Sequence, residues 1–217
     1  MDIRGQKISD VFYNQGMRTI IEEIIPDRLA EYASVPSAFE VKSVLKVSLV
    51  DGGLGGILLQ EVPVKPHTKD YDSYDELPTD WPGKFDVTNW GFFLARISDT
   101  PVGAAAVAFL TTGVFMLEAR EDLSVLWDIR VRPEARGVGI PLFRYAAEWS
   151  RARGCTQMKI ETQNVNVPAC RFYQQMGARL GEIHCHGYAA VPAVANEVML
   201  NWYLDLTKGI THKLRIF

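Results

Sequence analysis

Three groups of residues have the types and spacing to do chemistry. The first is Arg136-Gly137-Val138-Gly139, a short glycine loop that follows an apolar, β-branched run and precedes the stripe Leu142, Phe143, Tyr145, Ala146 and Trp149. The first N–H groups of a helix have no partner inside it and the helix dipole is positive there, so such a loop suits a phosphate. Glycine lets the backbone approach a ligand without a Cβ in the way. A dinucleotide fingerprint would need a glycine where this chain has Leu142, and a P-loop would need Gly-Lys-Ser/Thr. A glycine turn kept for steric reasons alone is the plain alternative. The second group is Asp128, a carboxylate between apolar neighbours, which reads either as a base or as the partner of Arg130 on the same strand face. The third is the acidic stretch within KPHTKDYDSYDELPTDWPGKFD, where Asp70, Asp72, Asp75, Glu76 and Asp80 crowd together. It reads as a wall that attracts a cation, or as a solvated surface loop. His184-Cys185-His186 is not expected to hold a metal, because alternation along a strand puts the histidines on one face and the cysteine on the other.

The elements that must position these groups follow from periodicity. Val125 to Val131 reads as a buried strand, stopped by Pro133, and Pro141 opens a helix at its first position. Asp10 caps an N-terminal helix with apolar positions Val11, Phe12, Ile20, Ile21, Ile24 and Ile25, and a second helical piece runs from Asp27 to Ala33. Val41 to Val50 and Ile57 to Val64 form a hairpin, as do Trp90 to Ile97 and Val102 to Thr111. A third strand pair joins Val114 to Ala119 with Leu123 to Val131. Lys65 to Asp86 is a loop with one short helical turn. Gln157 to Gln163 is a strand, Val167 to Met176 a helix capped by Gly177, and Ala178 to Tyr188 and Glu197 to Leu206 are the last strands. The expected fold is α+β, antiparallel hairpins around one strand-helix-strand unit that holds a parallel pair.

Composition bounds the function. The chain has 217 residues, 47% of them hydrophobic, and a formal charge of −3 with both signs interspersed. That is enough for a sizeable core and gives no long-range pull toward nucleic acid or an anionic membrane. The N-terminus has no apolar signal region and no run is long and apolar enough to span a bilayer, so the cytoplasm is the expected compartment. Cys155, Cys170 and Cys185 lack metal or redox spacing and read as reduced thiols.

Asn166-x-x-Ala169-x-x-x-Tyr173-x-x-x-Gly177, about thirty residues downstream of Arg136-x-x-Gly139, resembles the paired motifs of the GNAT acyl-CoA N-acyltransferases. Within that family, EIHCHGY, NEVMLNWY, VKPHTKDYD, WDIRV and ETQNVNVPAC are similar to the streptothricin N-acetyltransferases. The resemblance implies a GNAT fold over Val41 to Leu206, splayed at the parallel pair, with helices on both faces. Residues 1–40 would then be a helical extension that covers the acceptor groove or makes a homodimer contact, and residues 207–217 a tail. It also implies acetyl-CoA as co-substrate: Arg136, Gly137, Val138, Gly139, Ile140 and Leu142 around the pyrophosphate, main-chain pairing of Ile129 and Val131 with the pantetheine arm, and Asn166 and Ala169 on the second helix. Pro141 stands where the family has Gly or Ala and removes one N–H from the cradle.

The reaction sets further requirements. At neutral pH about one alkylamine in two thousand is unprotonated, so a base must generate the nucleophile. The resemblance points to Glu161, twelve residues before Tyr173, as that base, with Asp128 the other candidate, and to Tyr173 as the acid for the departing thiolate. Direct attack in a ternary complex needs no covalent enzyme intermediate, which leaves Cys170 without a catalytic part. The expected substrate is a small cationic amine of streptothricin type, with Asp70, Asp72, Asp75 and Glu76 on the acceptor side. A protein or peptide acceptor, or acyl-CoA binding without catalysis, are the alternatives.

Overall fold

A computed structural model of the chain describes residues 10–14, 17–73 and 76–208. The described residues divide into two compact units, one of 10–37, 76–159 and 206–208 less the gap at 15–16, the other of 38–73 and 160–205.

The first unit is built on a sheet of β1 (Asp10–Asn14), β2 (Met17–Ile24), β5 (Gly91–Ile97), β6 (Thr100–Ala108) and β7 (Leu123–Val131), neighbours in that order and antiparallel throughout. The turn from β5 to β6 places Ser98 and Asp99 at φ 46° and 65°, the left-handed pair whose twist suits a two-residue hairpin. After β7 the chain turns through Pro133–Ala135 into α3 (Gly139–Ala152) and returns as β8 (Gln157–Gln163). Strands joined through a helix in this way run parallel. The apolar stripe of α3 buries Leu142, Phe143, Ala146 and Ala147 completely. A Cβ on Gly103 of β6 would lie 3.3 Å from both Val138 and Leu142, so that glycine lets the helix start pack closely on the sheet. Between β2 and β5 lie α1 (Leu29–Ala33) and α2 (Trp81–Lys84), whose Tyr32 and Trp81 join Trp90 and Phe92 in an aromatic core.

The second unit holds the long two-stranded ribbon β3 (Phe39–Val50) and β4 (Gly56–Lys69), the end of β8, α4 (Val167–Gln175), β9 (Arg179–His184) and β10 (Met199–Asp205). Its sheet order is β8-β10-β9. Asn166 caps α4 by accepting from the Ala169 N–H at 3.2 Å, and Gly177, at φ 96°, ends it.

The structure corrects several expectations. The N-terminal helix is instead the pair β1–β2, with Thr19 to Ile24 registered against Ile97 to Phe92 on β5. Its isoleucines satisfy helical spacing, but β-branched side chains fit a pleated strand better, and the edge of β5 offers the partner. Asp27 to Ala33 is helical as expected, as a 3-10 turn followed by α1. Val114 to Ala119 is not a strand: Phe115–Leu117 form a 3-10 turn and Glu118 and Ala119 are left-handed, so β7 pairs with β6. The stretch from Lys65 to Asp86 is more ordered than a loop, since β4 runs on to Lys69 and three 3-10 or α turns follow, with Pro78 and Trp81 buried. Pro141 sits at the third helical position rather than the first, still within the turn whose N–H groups lack helix acceptors.

Candidate functional site

The first unit contains the glycine loop and the strand before it. Ile129 and Val131 are half-buried on β7 and register with Ala105 and Gly103 of β6. The chain then leaves the sheet, and Gly137 takes φ 98°, a conformation that other residues adopt only with strain. Arg136 is exposed, Val138 is fully buried, and Gly139 and Ile140 open α3 at half-buried positions. Leu142 plays a packing part: its side chain is buried and its N–H bonds the Val138 carbonyl at 3.1 Å. One turn into the helix, Arg144 carries a buried Nε with no hydrogen-bond partner, an unspent donor near a helix start.

Asp128 lies in the same unit and has partners of its own. Its carboxylate receives Arg130 Nε at 2.8 Å and Nη2 at 3.2 Å, together with the Tyr32 hydroxyl. Arg130 also donates to the Val35 carbonyl, so the pair pins the segment after α1 to the sheet. Asp128 is thus paired with Arg130, with the Tyr32 hydroxyl as a further partner.

The second unit contains the other candidate side chains. Glu161, on β8, accepts at Oε1 from the hydroxyl of Tyr188 at 2.7 Å. Burial and then the Glu161 carboxylate push the Tyr188 phenol far above its ordinary range, so it remains a donor at neutral pH. Two residues along β8, and hence on the same strand face, Gln163 accepts from the Tyr71 hydroxyl and interacts with Tyr188. Asn166 Nδ2 donates to the Tyr71 oxygen at 3.3 Å. Tyr173 is buried on α4 with its ring 5.6 Å from that of Phe172. Cys170 is also buried, which pushes its thiol up to about 12 and leaves little thiolate at neutral pH.

The carboxylates of the acidic stretch have local partners of their own. Asp70 accepts from the Asp72 N–H at 3.1 Å and so closes the turn after β4. Asp70 and Asp72 belong to the second unit and Glu76 to the first, where it pairs with Lys84 at 2.6 Å. Asp75 lies outside the described residues. Beside Asp70, Lys69 is buried in an ion pair with Glu197 and stands 5.5 Å from the Tyr71 ring centroid. Tyr71, Gln163 and Tyr188 were not among the residues singled out by sequence. Gln163 had a usable signal, its place two positions from Glu161, whereas Tyr71 and Tyr188 come from distant stretches. His184 ends β9 and Cys185 and His186 lie in the turn beyond it, and among the described residues no group of His, Cys, Asp and Glu could hold a metal. No helix there is long and apolar enough to cross a membrane.

The family model for the acetyltransferase (GNAT) family matches residues 58–178, more than half of the chain. The chain belongs to the GNAT acetyltransferase family. It is therefore an N-acetyltransferase in which α3 follows the glycine loop and α4 carries the second motif. A streptothricin acetyltransferase of Escherichia coli is 30% identical over 182 residues, covering 83% of this chain and 92% of the relative. Streptothricin acetyltransferase A of Bacillus subtilis is 28% identical over 141 residues, 64% of this chain and 73% of the relative. Among solved structures, that of a nourseothricin acetyltransferase superposes with a TM-score of 0.67 at 26% identity, covering 87% of this chain and 98% of the other.

Proposed function

We propose that this GNAT enzyme transfers the acetyl group of acetyl-CoA to a primary amine of a small cationic molecule, an antibiotic of streptothricin type. The observation that supports this most is likeness along nearly the whole length of a streptothricin acetyltransferase, in a chain that carries a hydrogen-bonded carboxylate on β8 to serve as base.

The residues present fit the phosphates of acetyl-CoA. The first turn of α3 offers N–H groups without helix acceptors, Gly137 shapes the backbone ahead of it, and Arg144 Nε is a buried donor in want of an acceptor. Acetyl-CoA, when bound, supplies the activated acyl group. Arg136 to Ile140 would hold its pyrophosphate, Ile129 and Val131 would orient the pantetheine arm by main chain, and Asn166 and Ala169 would contribute from the start of α4. A lost N–H to a charged group is worth about 1.5–3 kcal/mol, and Arg136 or Arg144 would compensate for the missing donor of Pro141. Glu161 takes the proton of the ammonium and Tyr173 returns one to the thiolate. Asp70, Asp72 and Glu76 favour a cationic acceptor. The reaction runs in the cytoplasm on free antibiotic, without nucleic acid, membrane or metal.

Thiol release from acetyl-CoA, followed against streptothricin, an aminoglycoside and an N-terminal peptide, tests this reading. Streptothricin is expected to give the highest kcat/KM. A faster peptide, or CoA binding with no turnover of any amine, contradicts it.

A further inference from the structure

The second unit contains a chain of hydrogen bonds that runs in one direction. It starts at the Ala169 N–H in the first turn of α4, which donates to Asn166 Oδ1 at 3.2 Å. The amide of Asn166 donates to the Tyr71 oxygen at 3.3 Å, and the Tyr71 hydroxyl donates to Gln163 Oε1. Gln163 also interacts with Tyr188, an interaction that favours the ionised phenol. Tyr188 in turn donates to Glu161 Oε1 at 2.7 Å. Every donor points toward the carboxylate, so each link polarises the next. A phenol buried to 8% exposure and driven far above its usual ionisation range can act on its neighbour solely as a donor at neutral pH.

We propose that Tyr188 is a positioning residue for the base: backed by Gln163 and Tyr71, it fixes one oxygen of Glu161 and holds the carboxylate ionised for the incoming ammonium. This rests on the reading of Glu161 as the base. A donor to a carboxylate favours its charged form, and without it the carboxylate holds its proton to higher pH. The other ionisable groups on the surrounding elements include the Lys69–Glu197 ion pair beside Tyr71, Asp70 and Asp72 in the following turn, Cys170 and Tyr173 on α4, His184 and Glu182 on β9, the last accepting from Asn201 at 2.7 Å, and on β8 itself Lys159, paired with Glu118 at 2.8 Å. All of them stay in place when Tyr188 is changed, so their titrations cancel between variant and parent.

The test is the pH profile of kcat/KM for a cationic amine in Tyr188→Phe and Tyr71→Phe. In Tyr188→Phe the acid limb is expected to move up by about one pH unit, the scale of a hydrogen bond to a charged group. The KM for acetyl-CoA and the rate on the alkaline plateau should change less than about threefold. Tyr71→Phe removes the link further back, and its limb is expected to move the same way by less. It also carries the test at a half-buried site if Tyr188→Phe does not fold. A rate lowered equally at every pH, with the limb unmoved in both variants, overturns the proposal. If Glu161→Gln keeps the parent limb, the base lies elsewhere and the proposal falls with that reading, a failure distinct from a limb that Glu161→Gln removes and Tyr188→Phe leaves alone.

Discussion

The loop from Arg136 to Ile140 and the network around Glu161 are built from opposite materials. The loop is one continuous piece of backbone whose donors are peptide N–H groups, and its side chains matter mainly for what they leave out or bury. The network is made of side chains from four separate stretches, Tyr71, Glu161 with Gln163, Asn166 and Tyr188, and its backbone is ordinary. A backbone site is removed by obstruction rather than deletion, whereas a side-chain network fails one atom at a time. The two should therefore respond to mutation in different currencies, binding for the loop and pH dependence or kcat for the network.

The largest effect is expected at the loop. Gly139→Trp obstructs several N–H groups together, each worth about 1.5–3 kcal/mol toward a phosphate, so calorimetry should find CoA binding lost while the thermal midpoint stays near that of the parent. Retained affinity would break the contrast by placing the phosphate site elsewhere. Next comes Tyr173→Phe, expected to lower kcat by roughly 10²–10⁴-fold with CoA affinity intact, the worth of a positioned acid. A change confined to KM would make Tyr173 a packing residue of α4. Asp128→Asn sharpens the contrast from within the first unit. It leaves the Arg130 guanidinium, 4% exposed, without its counter-charge, and removing one partner of a buried pair costs about 3–5 kcal/mol. Denaturant unfolding should show that loss, with kcat/KM nearly unchanged under folding conditions. The smallest effect is that of Asp70→Asn with Asp72→Asn, which keeps the turn acceptor but removes two charges. It should raise KM for a cationic acceptor about fivefold at low salt, the scale of roughly 1 kcal/mol, and less as salt rises.

The same contrast explains what the sequence made legible. The hairpins β3–β4 and β5–β6, the crossover β7–α3–β8, and α4 with its Asn166 cap and Gly177 stop are local patterns, set by alternation, helical stripes and punctuation over a few residues. The glycine loop is local too, and the spacing of two motifs was enough to point to the family. At the N-terminus local pattern misled, because Ile20, Ile21, Ile24 and Ile25 read as a helix while the deciding fact, the edge of β5, lies some seventy residues away. The acidic stretch was legible as charge but not as contacts. Its sequence shows a run of carboxylates, while the turn that Asp70 closes and the pairing of Glu76 with Lys84 depend on how the backbone folds locally. Tyr71 and Tyr188 were illegible because nothing near either of them in the chain signals Gln163 or Glu161. Asp128 was half legible: its need for a partner was plain, and Arg130 two residues on met it, while Tyr32 came from α1.

The central claim is that the two candidate carboxylates have separate tasks, Glu161 taking the proton of the amine and Asp128 holding the first unit together. The pH dependence of kcat/KM for streptothricin, measured side by side in Glu161→Gln and Asp128→Asn, tests it most directly. Glu161→Gln is expected to abolish the acid limb with stability close to that of the parent, while Asp128→Asn keeps the limb and loses stability. An intact limb in Glu161→Gln together with its loss in Asp128→Asn would contradict the account and exchange the two roles.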